Sequence, residues 1–137
     1  MISIRLWHID LIPYLPKSQL LAQWRELNSI YKKQDKHILI NYIYDYDKKF
    51  LWIYSLKVIN ELIDRKCNIK QFEHYDKYFE EVTHALVSSR FAEHNDEYLT
   101  ICYYNLKEKY LRGQKDFTDD VWQKLDDYYK RRIKNEI

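Results

Sequence analysis

The chain has 137 residues and a formal net charge of +2, so it suits one domain around a single core, and no overall field demands a nucleic-acid or membrane partner. One Gly and two Pro exclude a many-turned β-sandwich and the usual glycine-rich phosphate loops, and favour helices joined by a few loops. No apolar stretch approaches the roughly 18–20 residues of a membrane span. Arg5, His8 and Asp10 interrupt any signal-peptide core. Cys67 and Cys102 stand far apart, in no C-x-x-C spacing. They read as buried thiols in a reducing compartment, which points to a soluble cytoplasmic protein.

In chain order, Pro13 and Pro16 bracket a turn that ends the first segment. A first helix is expected to start near Pro16 to Ser18, with Leu20, Leu21, Trp24, Leu27 and Tyr31 as its apolar stripe. Arg25 sits about 100° and Glu26 about 200° round from Trp24. Both therefore leave the stripe, and Glu26 falls nearly opposite it. His37 to Tyr46 does not alternate cleanly and reads as loop or short helix. A second helix is expected from an Asp47 cap to Lys66, with Trp52, Leu56, Ile59 and Ile63 on one face and Ser55, Val58 and Leu62 beside them. A shorter helical piece covers Phe72 to Val82. A third helix starts after Asn95 with Leu99, Cys102, Leu106 and Tyr110 as its stripe; Lys109 and Arg112 sit in its last turn and Gly113 stops it. A fourth opens at Thr118 and buries Val121, Trp122, Leu125, Tyr129 and Ile133. No repeat, low-complexity tract or linker divides the chain. Residues 1–137 are expected to form one compact all-α domain of about four main helices.

Charge is distributed unevenly. Residues 1–37 hold six Lys/Arg against three Asp/Glu, residues 105–115 four against one and residues 128–137 four against one, while residues 71–100 hold two against seven. If the fold gathers the three basic segments, the molecule has a positive face and a negative back; otherwise they are ordinary solvated helix faces. Aromatics make up 17% of the chain, with 14 Tyr. They serve either as amphipathic core packing or, beside Lys and Arg, as a stacking surface for bases.

The chemistry concentrates at Arg25-Glu26. Adjacent residues on a helix do not form an i,i+4 ion pair, so helix stabilisation explains the pair poorly. A carboxylate and a guanidinium just downstream of the N-terminal amine of Met1 are the equipment of an enzyme that cuts a glycosidic bond in DNA with an amine nucleophile. The run from Arg5 through Leu6-Trp7-His8 and Leu11-Ile12-Pro13-Tyr14-Leu15-Pro16 to Trp24-Arg25-Glu26-Leu27 resembles the start of the pyrimidine dimer DNA glycosylase family (the phage endonuclease V-like proteins), and its wording is closer to the bacterial branch. Arg65-Lys66-Cys67-Asn68-Ile69-Lys70, Glu93-His94-Asn95 and Leu106-Lys107-Glu108-Lys109 are similar to later helix ends of that family, and Tyr128-Tyr129-Lys130 is loosely similar to its aromatic tail.

The resemblance implies a DNA repair glycosylase with possible abasic-site lyase activity, acting on duplex DNA without cofactor or metal, as a monomer. Glu26 is then the catalytic carboxylate and the Met1 amine the nucleophile; Arg5, Arg25 and Lys109 contact DNA. Three features depart from the family pattern: Ile2 follows Met1, and a bulky second residue is expected to keep Met1 in place ahead of the Arg5 match; Ser29 and Asn105 stand where two further DNA-contacting arginines would; and the loop between the first two helices is shorter, which bears on lesion recognition. The first two favour a rival reading, a helical nucleic-acid-binding protein of the same fold without lyase activity. The small net charge favours a third, a helical protein-interaction domain. His8 is a secondary site candidate: it forms a dyad with Asp10 if the segment is extended, or it is a core histidine with a satisfied ring. His74, His84 and His94 are ten apart, which is not the i,i+4 spacing of a helical metal pair.

Overall fold

A computed structural model describes residues 5–135. Among them the α-helices are α1 (Lys17–Lys33), α2 (Lys48–Asp64), α3 (Glu73–Tyr78), α4 (Asp96–Leu111) and α5 (Asp119–Asn135), with two short 3₁₀-helices at Ile9–Tyr14 and Asn41–Asp45 and no strand. α1 packs on α2 and α3, α4 packs on α5, and the first 3₁₀-helix touches both α2 and α5. Segment 5–15 therefore joins the two helical groups. Leu6, Trp7, His8, Ile9, Leu11, Ile12 and Leu15 are all buried, which is why this stretch reads as a nearly unbroken apolar run.

Helix ends follow local chemistry. The Asp47 carboxylate accepts the Lys49 N–H at 3.0 Å, and the Asn95 side chain accepts the Tyr98 N–H at 2.9 Å; both are ordinary N-caps. Gly113 adopts φ 83° just beyond α4, a left-handed stop that suits glycine. α1 differs from expectation. Pro16 occupies its N-cap and offers no side-chain bond. Ser18 does not cap the helix either. Asp116, from the turn after α4, reaches across to accept the Ser18 N–H at 2.6 Å and its hydroxyl at 2.8 Å. A cap that sequence reasoning places locally is supplied from a residue 98 positions away.

Several expected faces shift. Segment 34–47 contributes only the 3₁₀-turn Asn41–Asp45, and the short piece after α2 is confined to Glu73–Tyr78. On α2 the buried side is Leu51, Tyr54, Ser55, Val58 and Leu62, with Ile53 and Ile59 flanking it, whereas Ile63 is 55% exposed. This helix is apolar almost all round, so spacing alone allows two phases. Tyr31 decides between them, because its hydroxyl donates to the buried Ser55 Oγ and so turns that side inward. On α1, Leu21 is only half-buried and its place in the core is taken by Gln23, which is 0% exposed. Cys102 is buried as expected, but Cys67 is half-exposed, and both are free.

The aromatic residues mostly pack against one another. Tyr31 meets Tyr75, Tyr78 and Phe79 between α1 and α3, and Tyr103 stacks on Tyr129 with ring centroids 3.8 Å apart. Tyr128, from the tail-like Tyr128-Tyr129-Lys130, stacks on Tyr14. The tail's tyrosines thus serve packing between α5 and its neighbours.

Replacing Asp116 by Ala should cost about 1 kcal/mol of stability through loss of the α1 cap, whereas Asp116→Asn should cost less. Chemical denaturation of the two variants beside the wild type measures this. Equal stability of Asp116→Ala and wild type would contradict the long-range cap.

Candidate active site

Residues 5–9 cross the interior without a strand or helix partner, so their backbone polar groups must find side chains. They find them on four sides. The Arg5 carbonyl accepts from Gln23 Nε2 at 3.0 Å, and the Trp7 N–H donates to Gln23 Oε1 at 2.8 Å. The Trp7 carbonyl accepts from the Tyr54 hydroxyl at 2.6 Å, and the Leu6 carbonyl accepts from the Tyr98 hydroxyl. The Ile9 N–H donates to His94 Nδ1 at 3.0 Å. The backbone of His8 favours the ionised Cys102 thiol, and the backbone of Arg5 favours the ionised Glu26 carboxyl, each against the effect of burial.

Glu26 therefore does not stand on the solvent face opposite the core. It is half-buried at the edge of the α1 core arc. The expected position took Trp24 as the centre of the stripe. The true arc runs through Leu20, Gln23, Trp24, Leu27, Ile30 and Tyr31, is centred near Leu27, and leaves Glu26 only about 100° away. Desolvation pushes its carboxyl up to about 7; the Arg5 backbone, then the charges of Arg25 and Lys109, pull the other way without offsetting burial. An acid in this range holds a large share of both forms at neutral pH and can give or take a proton, as general acid–base chemistry requires.

The structure brings together most of the residues singled out in sequence. Arg25 is exposed beside Glu26, and Lys109, on α4, is close enough to act on its charge. Arg5 lies half-buried, its guanidinium 5.7 Å from the Trp7 ring and 5.9 Å from the Tyr98 ring. Met1 lies outside the described residues. His8 is fully buried and its Nδ1 accepts the Asp10 N–H at 3.1 Å. The chain turns into a 3₁₀-helix here, and the Asp10 carboxylate stays 4.0 Å from the ring, too far for a hydrogen bond. That carboxylate instead binds Arg90 at 2.9 Å and Arg132 at 2.5 Å. His8 is thus a core histidine, although its Nε2 has no partner among the described residues. Burial pushes His8 down to about 4 and His94 to about 3, so both rings are neutral at physiological pH.

The basic segments divide. In the C-terminal one, Arg132 ties α5 to Asp10 and Asp96, while Lys130 pairs with Asp126 within α5 itself. On α1, Lys32 lies seven residues after Arg25 and shares its exposed side. With Lys48, Lys77 and His74 it lines an open cleft of about 430 Å³. His84 sits in an exposed loop and His94 in the core. Among the described residues no group of three or more His, Cys, Asp or Glu could hold a metal, and no helix is long and apolar enough to cross a membrane.

Gln23, Tyr54, Tyr98 and Cys102 were not singled out as site residues by sequence reasoning. Gln23 carried a readable signal, as the one polar residue in the core phase of α1. The others look like ordinary core residues until their partners are known.

The all-helical fold thus places a half-buried carboxyl near the charges of Arg25 and Lys109 and beside the N-terminal segment. The family model for pyrimidine dimer DNA glycosylase matches residues 4–74, more than half of the chain, and the protein belongs to that family of DNA repair enzymes. Membership implies DNA as the substrate, and the matched span contains both Arg5 and Arg25-Glu26. No curated protein and no solved structure matches the chain.

Glu26 has a folded value near 7 against 4.5 unperturbed. Between these the folded chain keeps a proton that the unfolded chain has released, so this group's contribution to stability falls as pH rises through the window and stays unfavourable above it. Glu26→Gln should therefore be more stable than wild type at pH 8 by about 1 kcal/mol, after discounting for solvent screening of a half-exposed group, and level with it near pH 4. Denaturation at the two pH values measures this; a difference independent of pH would contradict the burial of Glu26.

Proposed function

We propose that the protein is a DNA repair glycosylase acting on damaged pyrimidines in duplex DNA, with abasic-site lyase activity through an amine/imine mechanism assisted by Glu26. The observation that carries this reading is a carboxyl lifted to about 7 at the family's Arg-Glu position, flanked by Arg25 and Lys109. Arg5, Arg25 and Lys109 hold backbone phosphates, with Lys32, Lys48 and Lys77 extending the cationic surface. The damaged nucleotide leaves the stack, at a cost of a few kcal/mol that damage lowers.

The neutral Met1 amine attacks C1′; the C1′–N bond to the amine forms as the glycosidic bond breaks, and the base leaves with the electron pair and then takes a proton. An α-amine with a pKa of about 7.7–8.0 is substantially neutral near physiological pH, unlike a lysine. Ionised Glu26 stabilises the cationic sugar. In its neutral form it supplies the proton that lets the ring oxygen depart and the imine form. The imine then serves as an electron sink: loss of a C2′ proton expels the 3′ phosphate by β-elimination. Four residues of chain separate the Met1 amine from Arg5, whose backbone acts on the Glu26 carboxyl, and the reading requires that amine beside the carboxyl. His8 acts as core packing against His94 and Tyr98. Free thiols at Cys67 and Cys102 fit a reducing, cytoplasmic setting, and the protein acts as a monomer without cofactor or metal.

A second reading, DNA binding without the lyase step, is favoured by two positions. The Ser29 hydroxyl donates to Asp35, and the Asn105 amide donates to the Ile101 carbonyl, so neither supplies the cation found there in the family pattern.

Borohydride trapping on duplexes with an abasic site or a pyrimidine dimer separates the two. The wild type should yield a covalent adduct, and both Glu26→Gln and an N-terminally blocked form should lose it by at least about a hundredfold. Tight, salt-dependent binding without adduct or cleavage would leave only the second reading.

A further inference from the structure

We propose that Gln23 is the positioning residue of this site: its amide holds the Glu26 carboxyl against the backbone of residues 5–7 and, by occupying Oε2, leaves Oε1 to carry the acid's proton. The inference rests on the reading that Glu26 handles protons during base excision.

The amide's orientation follows from its partners. Its oxygen must face the Trp7 N–H, which can only donate, and its nitrogen must face the Arg5 carbonyl, which can only accept. The second amide hydrogen then points at Glu26 Oε2, 3.1 Å away. The Tyr54 hydroxyl, 2.6 Å from the Trp7 carbonyl and 2.9 Å from Gln23 Oε1, shares its one hydrogen between them. Every polar valence of a side chain that is 0% exposed is engaged, so flipping the amide would set its NH2 against the Trp7 N–H and its oxygen against the Arg5 carbonyl. Such an arrangement is rigid.

A donor fixed on Oε2 has a chemical consequence. A carbonyl oxygen accepts a hydrogen bond better than a hydroxyl oxygen does, so in the neutral acid Oε2 is the carbonyl and the proton sits on Oε1. In the ionised form the same N–H stabilises the charge. Gln23 thus orients the reactive oxygen and restrains its proton affinity, while its other hydrogen and its oxygen fix the segment that leads back to the N-terminal amine. One side chain sets the relative position of the acid and the chain that carries the nucleophile.

The test reads Glu26 by carboxyl ¹³C NMR, which needs no DNA, and single-turnover cleavage and duplex affinity separately. In Gln23→Met the Glu26 midpoint should rise by about one pH unit as the ionised form loses a donor. The single-turnover rate at pH 7 should fall about tenfold or more while Kd changes less than about threefold. Should that variant not fold, Gln23→Glu keeps the acceptor for Trp7 and sets a second carboxyl against Glu26. The pair should then titrate in two coupled steps on either side of the wild-type midpoint. Folded variants whose Glu26 midpoint stays at the wild-type value would overturn the proposal. If Glu26 shifts as expected but the wild type cleaves no DNA, the positioning claim is supported and the assigned reaction falls.

Discussion

The structure depends on satisfying the buried backbone of residues 5–9. This segment lies in the interior without the ladder of a sheet or the internal bonds of a helix, and an unpaired buried N–H or C=O costs about as much as a lost hydrogen bond. Side chains from α1, α2, α4 and the loop before α4 supply the partners: Gln23, Tyr54, Tyr98 and His94. The abundance of tyrosine follows in part from this need, because a tyrosine fills core volume with its ring and brings one hydroxyl to a carbonyl. The same bonds lock the helices together, since each is tied to a common strand of chain rather than only to its neighbour.

Glu26 is where this structural duty meets chemistry. It accepts a hydrogen from Gln23, and the Arg5 backbone with the charges of Arg25 and Lys109 favours its ionised form, yet burial outweighs these and lifts the carboxyl to about 7. Balance between the two makes it useful. Arg25 from α1 and Lys109 from α4 add positive charge near the carboxyl.

The helical architecture was legible because its signals are local. Asp47 and Asn95 cap the helices they precede, and Gly113 ends α4 with a positive φ. What sequence could not show depends on contacts between distant segments. The cap of α1 comes from Asp116, and the phase of α2 turns on a bond between Tyr31 and Ser55. The site was legible in part. Arg25-Glu26 stood out as an unexplained pair, and Arg5 and Lys109 came with the family pattern. The burial of Glu26 did not show, because the expected stripe included Leu21 where the structure buries Gln23, which displaced the centre of the helix face. The sequence left the third basic segment open between a binding face and an ordinary solvated helix face; in the structure its Arg132 is committed to Asp10 and Asp96.

Single-turnover excision from a duplex carrying one pyrimidine dimer, followed from pH 5 to 9 with Glu26→Gln beside the wild type, tests the central claim most directly. The account predicts scission of the glycosidic bond, a rate that changes through a group titrating near 7, and loss of that dependence together with most of the activity in the variant. Undiminished excision by Glu26→Gln, or a folded and DNA-bound wild type that leaves the dimer intact across the whole range, would contradict it.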